Sequence, residues 1–207
     1  MTEEIPTAFL RLFIAITVPS DVREAIERAQ SQLKRHSPPG MIRWTPPDRF
    51  HTTLKFLGDV PATQVPDLKE AVTKVCAGFP VLQLSARGVG FFPSLQKPLV
   101  IWVGTHDESE QLEEMHRRID EAVRPFAAAD KPDKFTGHIT LGRFKPGHRG
   151  ETTKLMERAT ILQARHFGDW VAGEVELFRS ELTPTGAEHI PVASIPLSGS
   201  KRLPLLP

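Results

Sequence analysis

Apolar and polar positions alternate between two rhythms along this chain. The run Leu12-Phe13-Ile14-Ala15-Ile16 is continuously apolar and β-prone and ends before Pro19, which predicts a buried strand. Val22, Ala25, Ile26, Ala29 and Leu33 then recur at helical spacing among charges, predicting an amphipathic helix over residues 21–35 capped by Ser20. Residues 41–45 read as a short strand, Pro46-Pro47 as a turn, and residues 51–57 as a strand closed by Gly58-Asp59. The alternation continues with a helix over 61–77 carrying Pro66 near its first turn, strands over 81–92 and 99–104, and a helix over 108–126. After these come a strand over 138–144, a helix over 152–167 and strands over 170–182 and 189–196, with residues 199–207 expected as a loose tail.

One pattern occurs twice. His51-Thr52-Thr53-Leu54-Lys55-Phe56 returns 87 positions later as His138-Ile139-Thr140-Leu141-Gly142-Arg143-Phe144, flanked on both sides by a similar order of helices and strands. A duplication of this size predicts an α+β molecule: one domain over 1–207 built of two intimately packed lobes, related by a pseudo-two-fold and facing each other across a cleft.

On a strand, residues i and i+2 share a face, so His51 points with Thr53 and His138 with Thr140, while Leu54 and Leu141 turn to the core. Two such strands facing each other bracket a small volume with two imidazoles and two hydroxyls, a donor set suited to the non-bridging oxygens of one phosphate. Phosphodiester cleavage without a metal needs one neutral imidazole to take a proton and one imidazolium to give one. Histidine serves both roles because its ordinary pKa, about 6.5, populates either form near neutrality. Spacing leaves open which histidine does which. A single His-x-Thr on a strand is unremarkable, but buried strands do not ordinarily repeat a polar His and Thr on one face. Lys55 is in phase with His51 and Thr53 on a regular strand and is a candidate substrate contact, as is Trp44, which with Phe9 offers a surface for stacking on a base.

Composition narrows the partners. The formal net charge is +1, so a polyanion must be gripped by a local cluster rather than a broad basic surface. The lone Cys76 excludes an internal disulfide framework and reads as a small buried hydrophobe. The apolar stretch 10–16 is too short to span a membrane and lacks a basic start before it, which predicts a soluble, cytoplasmic protein; a monomer is expected. No Gly-x-x-x-x-Gly-Lys loop or zinc-spaced Cys/His set occurs, so neither a nucleotide cofactor nor a structural metal is expected. His36, His106, His116, His148, His166 and His189 lack a repeated partner and read as surface or packing residues. Gly147-His148-Arg149-Gly150 reads either as a turn or as a rim touching RNA.

With these motifs the chain resembles the two-histidine (2H) phosphoesterase superfamily, and within it the RNA 2′,3′-cyclic phosphodiesterases, also called 2′-5′ RNA ligases. The likeness spans most of the chain: Arg11-Leu12-Phe13-Ile14-Ala15-Ile16 with Pro19, Arg43-Trp44 then Pro47, Leu54-Lys55-Phe56-Leu57-Gly58, Leu141-Gly142-Arg143-Phe144, and Ser180-Glu181-Leu182 with Pro184 and Gly186. His189 departs from it, standing where the family often carries an aromatic. The resemblance implies two antiparallel sheets lining the cleft, helices outside, and metal-independent hydrolysis of RNA 2′,3′-cyclic phosphate ends to 2′-phosphomonoesters, with reversible 2′-5′ joining. It implies His51 as proton donor, His138 as proton acceptor, and Thr53 and Thr140 as phosphate holders. Arg143 joins them against the phosphate; it lies out of phase with Thr140 on a regular strand, and Gly142 offers the bulge that would correct this. Competing expectations are a two-histidine enzyme acting on small cyclic nucleotides or 2′-5′ oligoadenylate, a non-catalytic RNA-end binding module, and a metallohydrolase using the histidines as ligands.

Overall fold

The computed structural model describes residues 8–127, 135–147, 152–183 and 186–200. Among them the elements run β1 (Phe9–Thr17), α1 (Ser20–Arg35), β2 (Ile42–Trp44), β3 (His51–Pro61), α2 (Val65–Cys76), β4 (Leu82–Pro93), β5 (Pro98–His106) and α3 (Gln111–Val123). They continue with β6 (His138–Phe144), α4 (Thr153–Ile161), β7 (His166–Ala172), β8 (Glu174–Thr183) and β9 (Gly186–Pro196).

All the strand pairings are antiparallel, in the order β7-β4-β5-β6-β3-β1-β8-β9, with β2 added on β6. The middle of this ladder is almost severed: β3 and β6 meet through one residue pair, Thr52 with Ile139. A five-stranded half (β7-β4-β5-β6 with β2) and a four-stranded half (β3-β1-β8-β9) therefore meet at that pair in one curled sheet, giving the α+β, two-lobed architecture that the repeat predicts. The repeat maps β1-α1-β3-α2 onto β5-α3-β6-α4. Each half then sends its next long strand into the other lobe, since β4 pairs with β5 while β8 pairs with β1. Helices cross over too: α1 and α4 pack on the lobe of β4 and β7, while α2 and α3 pack on that of β3, β8 and β9.

Helix packing follows the sequence rhythm. Val22, Ile26, Ala29 and Leu33 bury one stripe of α1, and Ile101, Val103, Ile139 and Leu141 bury the helix-facing sides of β5 and β6. Each such fully buried aliphatic side chain contributes roughly 1.5–3 kcal/mol. On the opposite, helix-free side of β1 and β8 lies a separate small cluster of Phe13, Ala15 and Phe178. Cys76 is buried as expected, and desolvation pushes its thiol up to about 12.

Several boundaries differ from the sequence expectation. Ser20 is the first helical residue of α1 rather than its cap, and Pro19 stands before it with no side-chain cap hydrogen bond. Strand β3 runs through Gly58 to Pro61 instead of closing at Gly58-Asp59, and α4 ends at Ile161. Residues 166–172, expected partly as helix, form β7, because Gly168 at φ 142° sits against Val22 and breaks the two-residue alternation that would mark a strand. Of the expected loose tail, Gly199 is held, its N–H donating to the Phe79 carbonyl at 2.8 Å, and 201–207 lie outside the described residues. Among the described residues no helix is long and apolar enough to cross a membrane.

Candidate functional site

Antiparallel partners point to one face, and neighbours along a strand alternate. Thr52 and Ile139, the single pair joining the lobes, are fully buried on the helix side. The flanking residues therefore emerge together on the helix-free side, His51 across from Thr140 and His138 across from Thr53. All four repeated side chains thus converge where the lobes meet. The Thr52 hydroxyl is bonded to that of Thr105 at 2.7 Å, which fixes the strand beneath them.

The histidines are held alike. His51 Nδ1 lies 2.8 Å from the Arg49 carbonyl, and His138 Nδ1 lies 2.8 Å from the Thr136 carbonyl, in each case the residue two positions before. A carbonyl only accepts, so Nδ1 of each ring carries the proton, and the neutral tautomer presents the Nε2 lone pair to the cleft. Each ring also rests on aromatic walls. Phe13 stands 5.1 Å from His51, and Phe92 meets His138 edge-on at 4.9 Å with Trp102 behind it.

Burial is the largest influence on both imidazoles and lowers both pKa values. His51 falls to about 4: after burial come the nearby His189 and the charges of His138 and Arg143, opposed by the hydrogen bond to Arg49. On His138 the charge of Arg143 adds to burial, opposed by the bond to Thr136.

Arg143 reaches this face by a bulge. Along β6 the register with β5 slips between Thr140 and Gly142, so Leu141 is an extra residue and the phase inverts after it. The freed Leu141 carbonyl is caught by Thr45 N–H at 2.9 Å and by the buried Gln30 amide at 2.9 Å. Gly142, expected as the bulge, instead gives room, since a Cβ there would lie 2.7 Å from Ile42. Strand β3 carries the equivalent slip at Leu54, between the pairs Ala15–Thr53 and Ile14–Lys55.

That second bulge overturns the expectation for Lys55. A regular strand would set it beside His51 and Thr53; the slip turns it to the helix side, where its ammonium pairs with Asp120 of α3 and is 13% exposed. Phe56 takes the cleft position instead, 64% exposed and 5.8 Å from Phe13. Trp44 is also corrected. Its ring packs on the core beside Gly142 with the Lys34 ammonium 5.8 Å away, on the α1 side of the sheet. Its neighbour Arg43, across from Arg143, faces the cleft side. Phe9 pairs with Pro61 at the far end of β1 from Thr17, the partner of His51. His148, Arg149 and Gly150 lie outside the described residues.

His189, read from sequence as packing, stands in the site: edge-on to His51 at 5.1 Å and to Phe13 at 4.8 Å. It has no counterpart in the repeat that would have marked it. Among the described residues no three His, Cys, Asp or Glu side chains gather as a metal site would require.

The family model described as LigT-like phosphoesterase matches residues 16–102, which contain the first His-x-Thr segment. An RNA 2′,3′-cyclic phosphodiesterase of Methanothermobacter thermautotrophicus is 32% identical over 177 residues, 86% of this chain and 93% of that protein. Another, of Methanocaldococcus jannaschii, is 30% identical over 86% of this chain and 95% of its own length. Among solved structures, a protein of Thermus thermophilus superposes with TM-score 0.70 at 29% identity, covering 92% of this chain and 99% of that one. LigT of E. coli, complexed with NADP+, gives TM-score 0.70 at 25% identity with the same coverage.

Proposed function

This chain belongs to the LigT-like phosphoesterase family, and from that premise we propose that it hydrolyses RNA 2′,3′-cyclic phosphate ends to 2′-phosphomonoesters with His51 and His138 as a metal-independent acid–base pair. The observation that carries this reading is the convergence of His51, Thr53, His138 and Thr140 on one face at the Thr52–Ile139 pair, each imidazole turning Nε2 outward.

In this mechanism the cyclic phosphate lies between the two rings. His138 Nε2 takes a proton from water as its oxygen attacks phosphorus, the bond from phosphorus to the 3′ oxygen breaks, and His51 gives that oxygen its proton. Thr53 and Thr140 hydroxyls donate to the non-bridging oxygens, and Arg143 balances the charge that builds on them. A ribose 5′ hydroxyl in place of water would form a 2′-5′ linkage by the same proton movements. The enzyme would act as a cytoplasmic monomer.

Burial and the neighbouring positive groups hold the His51 pKa down at about 4, whereas a donor must be charged. The phosphate's negative charge supplies the correction, since an anion within hydrogen-bond reach favours the imidazolium. Substrate binding and arming of the donor are then one event.

The test is an oligoribonucleotide ending in 2′,3′-cyclic phosphate, incubated in chelator with the end group of the product identified. Turnover to a 2′-phosphate is expected, abolished in His51→Ala and in His138→Ala, and reduced on the order of 10 to 1000-fold in Thr53→Ala or Thr140→Ala. A 3′-phosphate product, full activity in either histidine variant, or strict dependence on added metal would reject the reading.

A further inference from the structure

Resting on that reading, we propose that the RNA chain leading to the cyclic phosphate leaves the site across β5 and β4, and that Arg87, His106 and His166 hold one of its backbone phosphates. A cyclic-phosphate end has RNA on one side only, so the whole upstream chain must depart in a single direction. One rung of the ladder marks that direction: His138 pairs with Gly104, Gly104 with Arg87, and Arg87 with His166. Partners across a rung share a face, so Arg87 lies on the helix-free side with His138, two strand spacings or about 10 Å away. Between them stands a glycine. The missing side chain leaves room that the His106 ring occupies, its Nε2 2.6 Å from where a Cβ of Gly104 would be.

The next rung joins His106 to Ser85 and Ser85 to Asp169. These side chains, with Arg87 and His166, line a cavity of about 870 Å³. It adjoins a second hollow of about 400 Å³ through Arg87 and His106, which reaches Trp102, the ring behind His138. Trp102 thus stands between His138 and the residues the two hollows share, an indole on which a base can stack with a guanidinium beyond it, the combination single-stranded nucleic acid binds.

Four carboxylates also border the cavity, Glu108 among them, and the other three are engaged. Asp169 bonds His166 at 2.9 Å, Asp107 accepts from Ser109 and from Leu112 N–H at the start of α3, and Glu114 is held down to about 2 by Arg117 and Arg118. Arg87, by contrast, makes no salt bridge among the described residues. A guanidinium lining both hollows, beside two imidazoles and with no carboxylate bonded to it among the described residues, fits a phosphate diester.

The test compares a ribonucleoside 2′,3′-cyclic monophosphate with a pentaribonucleotide ending in the same group, using wild type, Arg87→Gln and Arg87→Gln/His166→Gln. Wild type should prefer the pentamer. Arg87→Gln should lower kcat/KM for the pentamer on the order of 10-fold, through KM, with a shallower salt dependence, and leave the monophosphate at the wild-type value. Equal losses on both substrates, no loss on either, or no preference for the pentamer in wild type would overturn the path. If wild type hydrolyses neither substrate, the proposed activity fails separately. Polarisation binding of a pentamer ending in 2′-phosphate then still decides: weaker binding by Arg87→Gln sustains the path, and unchanged binding rejects it.

Discussion

At the residue scale, the two histidines of the repeat are equivalent in sequence but not in environment. His51 lies beside His189 as well as His138 and Arg143, whereas the lowering charge on His138 is Arg143 alone, so His51 is the harder of the two to protonate. The proposed mechanism needs His51 charged and His138 neutral, the less populated arrangement given the lower pKa of His51. Replacing His189 with glutamine removes one positive neighbour and raises the His51 pKa, since a cation had been lowering it. The lower-pH limb of the kcat/KM profile should therefore move to higher pH, and the plateau should rise because more enzyme holds the productive arrangement. A shifted limb without the rise would exchange the acid and base roles. No shift would remove His189 from the electrostatics of the site.

At the element scale, one extra residue in each inner strand decides which side chains face the cleft. The bulge at Leu141 delivers Arg143 to the cleft, and the bulge at Leu54 delivers Phe56, which stands 87 positions before Arg143, while sending Lys55 to Asp120. One lobe thus contributes a cation and the other an aromatic ring at equivalent places. If Lys55 serves to dock α3 on β3, Asp120→Ala should cost about 1–3 kcal/mol by leaving a largely buried ammonium without that carboxylate. The melting temperature should fall while kcat/KM at a temperature where the fold persists stays near wild type. A large loss of kcat/KM with unchanged stability would return Lys55 to the substrate.

At the scale of the whole molecule, the exchange of β4 and β8 makes each lobe depend on strands from the other half of the sequence. Neither half alone completes a sheet, and the Thr52–Ile139 pair that positions the site exists only when both are folded. Urea unfolding should accordingly be a single transition, with near- and far-ultraviolet dichroism coincident. Two separated transitions would show the lobes to be independent units. The proposed RNA path belongs to this scale as well, because its rung spans β6, β5, β4 and β7, strands contributed by both repeats.

The sequence by itself determined the repeat, and with it the class of fold, the two histidines and the two threonines. Those rest on two-residue alternation in short strands, a local property that the order of residues carries. Tertiary structure decided what a slip of one residue or a pairing across the chain controls. Whether Lys55 or Phe56 faces the cleft turns on a bulge, and alternation counted through a bulge gives the wrong face. Trp44 went to the helix side because Gly142 opposite leaves it space, a complementarity between positions almost a hundred residues apart. His189 came beside His51, and Arg87 into line with His138, only through the pairing of strands distant in sequence. Such partners are chosen by the packing of the assembled sheet, which no local pattern encodes.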